Sequence, residues 1–437
     1  MKPATARRSE AVSAMSRTML TRSLPWLLFA LGLIVAPLIF SEGASLSILS
    51  QLCTMMLLGL SFNMLLGQGG MLSFGHAVYS GLGAYFAAHA IKLAGAGVLP
   101  VPISLVPLLG GLAGMFFGIL FGYVTTKTSG TTFAMITLGI GELVSACALM
   151  MPEFFGGEGG ISFNRVVGRP FYGISFGPQI QVYYLIAIWL FICALAIYAF
   201  TLTPLGRMTN AVRDNPERAE FVGYDTQRVR YLTLILSSFF AGIAGALGAI
   251  NFEIVTAENV STARSGAILL FTFVGGVDHF FGPLIGAVFG VFFTELLSNY
   301  TRAWQLYLGI FFILIVMYAP GGISSLLIKG LHPKALKRAA LRWPLVLAIC
   351  VSGLLAMLGL VSLIEMLFHH NLEFASGPTL RLFGVSLDTS LSTSYIVIGV
   401  LVFVSGCGLR WAWTAFHDDA DEAQTNVAEI PLRETGS

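Results

Sequence analysis

Runs of about 18 or more mostly apolar residues, each bounded by glycine, proline or charge, recur along this chain. Runs of that length are helical, because hydrocarbon offers no partner to a backbone N–H or C=O and a helix satisfies both within one segment. The period-two alternation of a closed β-barrel is absent. Charged residues make up only 11% of the 437, and mean hydropathy is +0.82. The expected fold is all-α: a polytopic transmembrane helical bundle of about ten core spans plus two C-terminal spans.

The expected spans cover 24–40, 46–66, 71–91, 101–124, 130–151, 180–202, 231–252, 264–279, 283–298, 303–326, 343–364 and 395–413. Lys and Arg cluster at 1–22, around 203–230 and at 329–342, with a weaker site at Lys127. Basic clusters mark the cytoplasmic side, and the span count delivers each of them there, with both termini cytoplasmic. The chain therefore divides into a basic N-terminus (1–23), a transmembrane core (24–328) with one large cytoplasmic loop (203–230), a basic linker (329–342), two extra spans (343–413) and an acidic tail (414–437). The apolar run after the basic N-terminus is longer than a signal peptide's and lacks a small-residue cleavage site, so it reads as an uncleaved first span.

The loop is the most polar stretch of the chain. Arg207, Arg213, Arg218, Arg228 and Arg230 alternate there with Asp214, Glu217, Glu220 and Asp225. Arg213 and Glu217 stand four apart, the spacing of a helical ion pair, between Gly206 and Gly223. Two readings stand: a solvated connector, or a helix presented to a cytoplasmic partner.

No catalytic or nucleotide motif is present, and without a phosphate-binding glycine loop the chain does not itself hydrolyse ATP. The five cysteines and seven histidines fall in no metal-ligand or disulfide spacing, so no metal, cofactor or catalytic residue is expected. Glu142 is the best-placed ionisable residue inside a span, either lining a path or capping a neighbouring helix. Asn63 and Ser73 are suited to bonds across helices, and Arg264 snorkels to an interface. Two glycine-rich hairpins, GMLSFGHAVYSGLGAY after Gly67–Gly70 and VGGVDHFFGPLIGAVFG, allow close helix approach or broken backbone within the membrane. With Glu142 they supply the candidate path residues Ser73, His76, Glu142, Gly275 and Gly276. The outer loop FGGEGGI is either turn chemistry or a flexible docking surface.

LLGQGGMLSFGHAVYSGLGAY, TLGIGEL, FGGEGGI, TPLGRMTNAVRDNPERAEFVGYD with YLTLILSSFFAGIAGALGA, and FVGGVDHFFGPLIGA together resemble the permease subunits of branched-chain amino acid ABC transporters, in order, over about 45–327. That resemblance implies an inner-membrane permease that works with a second, homologous permease, two cytoplasmic ATPase subunits and a periplasmic binding protein. It also implies that Arg213, Asp214, Asn215, Pro216, Glu217 and Arg218 form the element that docks into the ATPase. Ala257, Asp278 and Glu158 depart from the family pattern and put the solute in question, with urea or short amides as the alternative to Leu, Ile and Val. An ion-coupled carrier built on Glu142 is a rival class, but it would not need the charged loop. A membrane scaffold that transports nothing leaves the paired glycine hairpins unexplained.

Overall fold

The computed structural model describes residues 23–166, 175–330, 343–372, 379–382, 385–388 and 391–428. The basic N-terminus, nearly all of the basic linker and the end of the acidic tail lie outside them. The described chain is helical apart from two short strand pairs. Two compact units are present: Met1–Asn299 with Ile310–Ser325, and Tyr300–Gly309 with Leu326–Ser437.

The first unit is built from α1 (Ser23–Ile39), α2 (Gly43–Asn63), α3 (His76–Gly95), α4 (Val106–Thr125), α5 (Gly130–Met150), the single turn α6 (Pro152–Phe155), α7 (Gln179–Leu202), α8 (Pro204–Asp214), α9 (Pro216–Phe221), α10 (Thr226–Phe252), α11 (Thr262–Gly275) and α12 (Gly282–Val291). Helix α13 (Trp304–Tyr318) and α14 (Gly322–Gly330) follow, bent by 54° at the break between them, with the start of α13 and the end of α14 belonging to the second unit.

At the centre lies α3, buried along nearly its whole length, chiefly against α10 and α4. The close packing comes from small residues. Glycines recur every fourth residue along α4, at Gly110, Gly114, Gly118 and Gly122, and this stripe faces α10. A Cβ on Gly83 of α3 would lie 2.6 Å from the Gly242 Cα of α10, so these three backbones touch where side chains would hold them apart. Close backbone approach gives van der Waals contact that lipid cannot match.

Nine of the twelve expected spans are long and apolar enough to cross a membrane, eight as continuous helices, α12 running on through a π turn and a 3-10 turn to Asn299, and one as the bent pair α13–α14. The three that fall short are α1, α3 and α11. The expected span 71–91 begins as a helix only at His76, because 69–75 is irregular. The expected span 264–279 is the 14-residue α11, about 21 Å at 1.5 Å per residue, too short for a hydrocarbon core of about 30 Å. Residues 253–261 lead into it as a short strand and a 3-10 turn. Broken backbone at membrane depth survives only where protein satisfies it, and here it does: the Phe74 N–H donates to Thr137 Oγ1 of α5 (3.1 Å), and the Ala77 N–H donates to Ser265 Oγ of α11 (3.0 Å).

One end of the unit is closed by a cap in which β1 (Ile161–Ser162) pairs antiparallel with β2 (Ile254–Val255). The opposite end carries α8 and α9.

The second unit holds α15 (Trp343–Leu372) and α16 (Ser392–Ala428), an antiparallel pair with Gly353 beside Leu409 and Gly359 beside Val402. Both helices run past the expected spans 343–364 and 395–413. Between them β3 (Thr379–Leu382) and β4 (Val385–Asp388) form a hairpin. The Tyr307 hydroxyl donates to Glu365 Oε1 at 2.8 Å, tying the start of α13 to α15.

Candidate translocation path and coupling surface

The charged loop folds as two short helices at a corner, which corrects the expected single helix. Asn215 is extended (φ −157°, ψ 98°), because the ring of Pro216 excludes its preceding residue from the helical region. Asn215 then caps α9, its Oδ1 accepting from the Arg218 N–H at 2.9 Å, and Pro216 takes the first helical position, which needs no N–H. The break removes the expected Arg213–Glu217 pair: Arg213 Nε instead meets Asp214 Oδ1 at 2.9 Å. Val212, Ala219 and Val229 close a small apolar core under the corner, and Thr209 Oγ1 shares a 2.9 Å hydrogen bond with Thr233 Oγ1 of α10.

Arg213 points back into the bundle, and its guanidinium donates to the Gly67 carbonyl at the end of α2. There α2 widens into a π turn, Met64–Gln68, before the irregular segment. A Cβ on Gly67 would lie 2.6 Å from the Val277 carbonyl, so the turn joining α11 to α12 sits directly on this bend. Gly276 lies in that turn at φ +105°, a conformation that side chains disfavour, and it packs against Gly321 and Ser324. Gly275 packs against Gly282 with no room for a Cβ. Loop, first hairpin and second hairpin thus touch in one continuous row: Arg213, Gly67, Val277.

The exposed surface of the loop carries an apolar tip among its charges, which sequence reasoning missed. Phe221 is 90% exposed, with Val222 and Tyr224 beside it also exposed. The signal was present in the sequence as EFVGYD, an apolar tip inside a charged loop.

The candidate path residues separate into two places. Ser73 and His76 are fully buried at the bend between α2 and α3. Ser61 Oγ donates to the Leu58 carbonyl (2.7 Å) and contacts His76 Nε2 at 2.9 Å. Ser61 has one proton, so the imidazole is assigned as the donor there and Nδ1 is the bare acceptor. That Nδ1, Ser73 Oγ and Asn63 Oδ1 are buried without hydrogen-bond partners, a concentration of unpaired polar atoms at one bend. Glu142 is exposed on α5 and accepts from Thr262 Oγ1 at 2.5 Å. Thr262 opens α11, where the helix dipole favours an acid. Gly275 and Gly276 lie at the far end of α11.

The cap is held by Arg165, which the sequence offered only as a loop residue. Its Nε donates to the Phe176 carbonyl (2.9 Å), Nη1 to the Ile250 and Asn251 carbonyls (3.4 and 3.2 Å), and Nη2 to the Gly177 carbonyl (3.1 Å) and Gln179 Oε1 (2.9 Å). Glu253 lies 3.8 Å from Nε. In the FGGEGGI loop Gly156, Gly157 and Gly160 all take positive φ, as the turn-chemistry reading of it requires. The His89 Nε2–H donates to the Phe154 carbonyl next to it at 2.9 Å.

Beneath the cap lies a cavity of about 200 Å³ lined by Gln51, Ser80, Gly248, Phe252, Asn259 and Arg264, among others. None of the five candidate path residues lines it. No group of His, Cys, Asp and Glu among the described residues is arranged to hold a metal.

The model of the family described as branched-chain amino acid transport system / permease component matches residues 44–319. The high-affinity branched-chain amino acid transport system permease protein LivM of Salmonella typhimurium is 28% identical over 321 residues, covering 68% of this chain and 74% of its own length. The LivM of Escherichia coli is 27% identical over 322 residues, with the same coverage. The fructose import permease protein FrcC of Rhizobium meliloti is 29% identical over 233 residues, 49% of this chain and 62% of its own. No solved structure matches. The family match takes in α2 to α13, both glycine hairpins and the bolted loop, and the chain belongs to the family of branched-chain amino acid transport permeases.

Proposed function

We propose that this chain is the membrane permease subunit of an ABC importer that carries branched-chain amino acids across the inner membrane of a bacterium. Both termini face the cytoplasm. A second permease, two ATPase subunits and a periplasmic binding protein complete the assembly. The observation that carries the reading is the family match together with the Arg213 link from the loop to Gly67.

In this reading the α8–α9 corner is the coupling element. Phe221 and Val222 fill an apolar cleft on the ATPase, and Asp214, Glu217 and Arg218 rim that contact. A desolvated apolar centre with a charged rim is the usual division of labour at an interface. When ATP closes the ATPase pair, the corner moves as a rigid lever. Arg213 transmits the movement to the bend at Gly67 and so to the α11–α12 turn. A path built of broken helices has two packings, and the lever selects between them. Ser73 and His76 at the bend and Gly275 and Gly276 at the end of α11 lie on the elements that move, and Glu142 of α5 holds the start of α11 through Thr262.

The test is purification of the tagged chain in mild detergent, followed by ATP turnover of the co-purified complex with its binding protein. Recovery of an ATPase and a second permease, with turnover stimulated by leucine, is the expected result. Stimulation by urea, a short amide or fructose in place of leucine would replace the substrate and keep the class. A chain that purifies alone and moves solute under an ion gradient would overturn the reading.

A further inference from the structure

The two partly or fully buried arginines near the cap are in opposite states. Every guanidinium nitrogen of Arg165 donates to a named acceptor. Arg264, in the first turn of α11, makes no guanidinium hydrogen bond or ion pair with another described residue, and its side chain lines the cavity beneath the cap. Helical side chains lean toward their own N-terminus, so a residue in the first turn of α11 reaches out of the half-helix toward that space. The charge of Glu258, on the 3-10 turn leading into α11, acts on it. A cation set among apolar helices is costly unless it is paired or put to use.

The rest of the lining suits a small zwitterion with an apolar side chain. Gln51, Ser80 and Asn259 supply neutral polar groups, while Phe252, Ala84 and Ile254 supply apolar wall. Gly248 leaves open space, since a Cβ there would meet no protein atom within 4 Å. The volume of about 200 Å³ is of the order of a free amino acid. A guanidinium is the side chain best matched to a carboxylate, through two parallel N–H donors.

We propose that this cavity is a substrate site within the membrane and that Arg264 binds the carboxylate of the transported amino acid there, an inference that rests on the amino-acid reading above. The expected snorkel of Arg264 to an interface is thereby replaced by a role in recognition.

The experiment uses the complete importer in proteoliposomes, with saturating leucine-loaded binding protein, and follows both leucine uptake and ATP turnover. Arg264→Gln should lower uptake at least tenfold while loaded binding protein still stimulates ATP turnover; Arg264→Lys should restore part of the uptake. Gly248→Val, which fills the cavity and not a packed contact, should block uptake with the same retained stimulation. Wild-type uptake of leucine together with unchanged uptake in both variants would remove the carboxylate site and leave the amino-acid reading intact. Parallel loss of uptake and ATP stimulation in both variants would assign these positions to folding and overturn the site. A wild-type complex that moves only an uncharged solute would overturn the amino-acid reading first, and the carboxylate site with it.

Discussion

Arg165 and Arg213 hold opposite ends of the same bundle, and they hold them differently. Arg165 is buried in the cap and donates to four backbone carbonyls and a side chain drawn from α10, α7 and the segment before α7. Arg213 is partly exposed and makes one bond across the bundle, to Gly67, plus one to its neighbour Asp214. A joint made of many bonds to backbone fixes a single geometry. A joint made of one charge-assisted bond can move with its lever. In the proposed importer the cap is the rigid end and the loop the moving one.

Removal of Arg165 should have the largest effect. Arg165→Ala leaves four carbonyls and the Gln179 amide oxygen without their donor, a loss on the order of 3–5 kcal/mol by analogy with breaking a buried charged network. It should appear as a sharply lowered unfolding temperature in detergent. A variant as stable as wild type would make the two arginines equivalent and erase the comparison. Phe221→Asp comes next: the protein should fold normally, because Phe221 is almost wholly exposed, yet the ATPase should no longer co-purify. Retention of the ATPase at wild-type stoichiometry would move the docking surface elsewhere.

Asn215→Ala removes the α9 cap and should cost about 1 kcal/mol, seen as a modest loss of protection from proteolysis confined to the loop. If the loop resists proteolysis as before, the corner does not depend on that cap. Glu142→Gln should have the smallest effect. The amide still accepts from Thr262, so only the charge at the start of α11 is lost, worth about 0.3–1 kcal/mol, and uptake should stay within about fivefold. Loss of uptake at every pH would return Glu142 to the path.

The outward-facing parts of the fold were legible in the sequence for a physical reason. Helices such as α5 and α7 face lipid over long arcs and must be apolar for some 18 residues or more, a code that composition reads directly. Helix α3 faces protein on every side, so its sequence is small and not oily, and nothing in hydropathy distinguishes where its helix begins. The half-helix α11 was extended to a full span for the same reason. The glycine stripe of α4 was readable from its spacing alone, at four-residue intervals. The corner at Asn215 was readable from the Asn-Pro pair, which outweighs the Arg213–Glu217 spacing.

The candidate site was less legible. Ser73, His76 and Glu142 fall near the broken backbone, but the residues that face the cavity are Gln51, Ser80, Asn259 and Arg264. They come from α2, α3, α11 and the segment before α11, and only tertiary packing brings them together. Arg165 and Arg264 carry the same side chain near the same cap, and only their neighbours distinguish a structural clamp from an open donor.

The most direct measurement of the central claim is ATP turnover of the Arg213→Gln complex with and without loaded binding protein, beside its leucine uptake. If the loop drives the hairpins through Gly67, the complex should assemble, uptake should fall at least tenfold, and turnover should become indifferent to the binding protein. Full uptake with normal stimulation would show that the lever reaches the path by some other contact than Arg213.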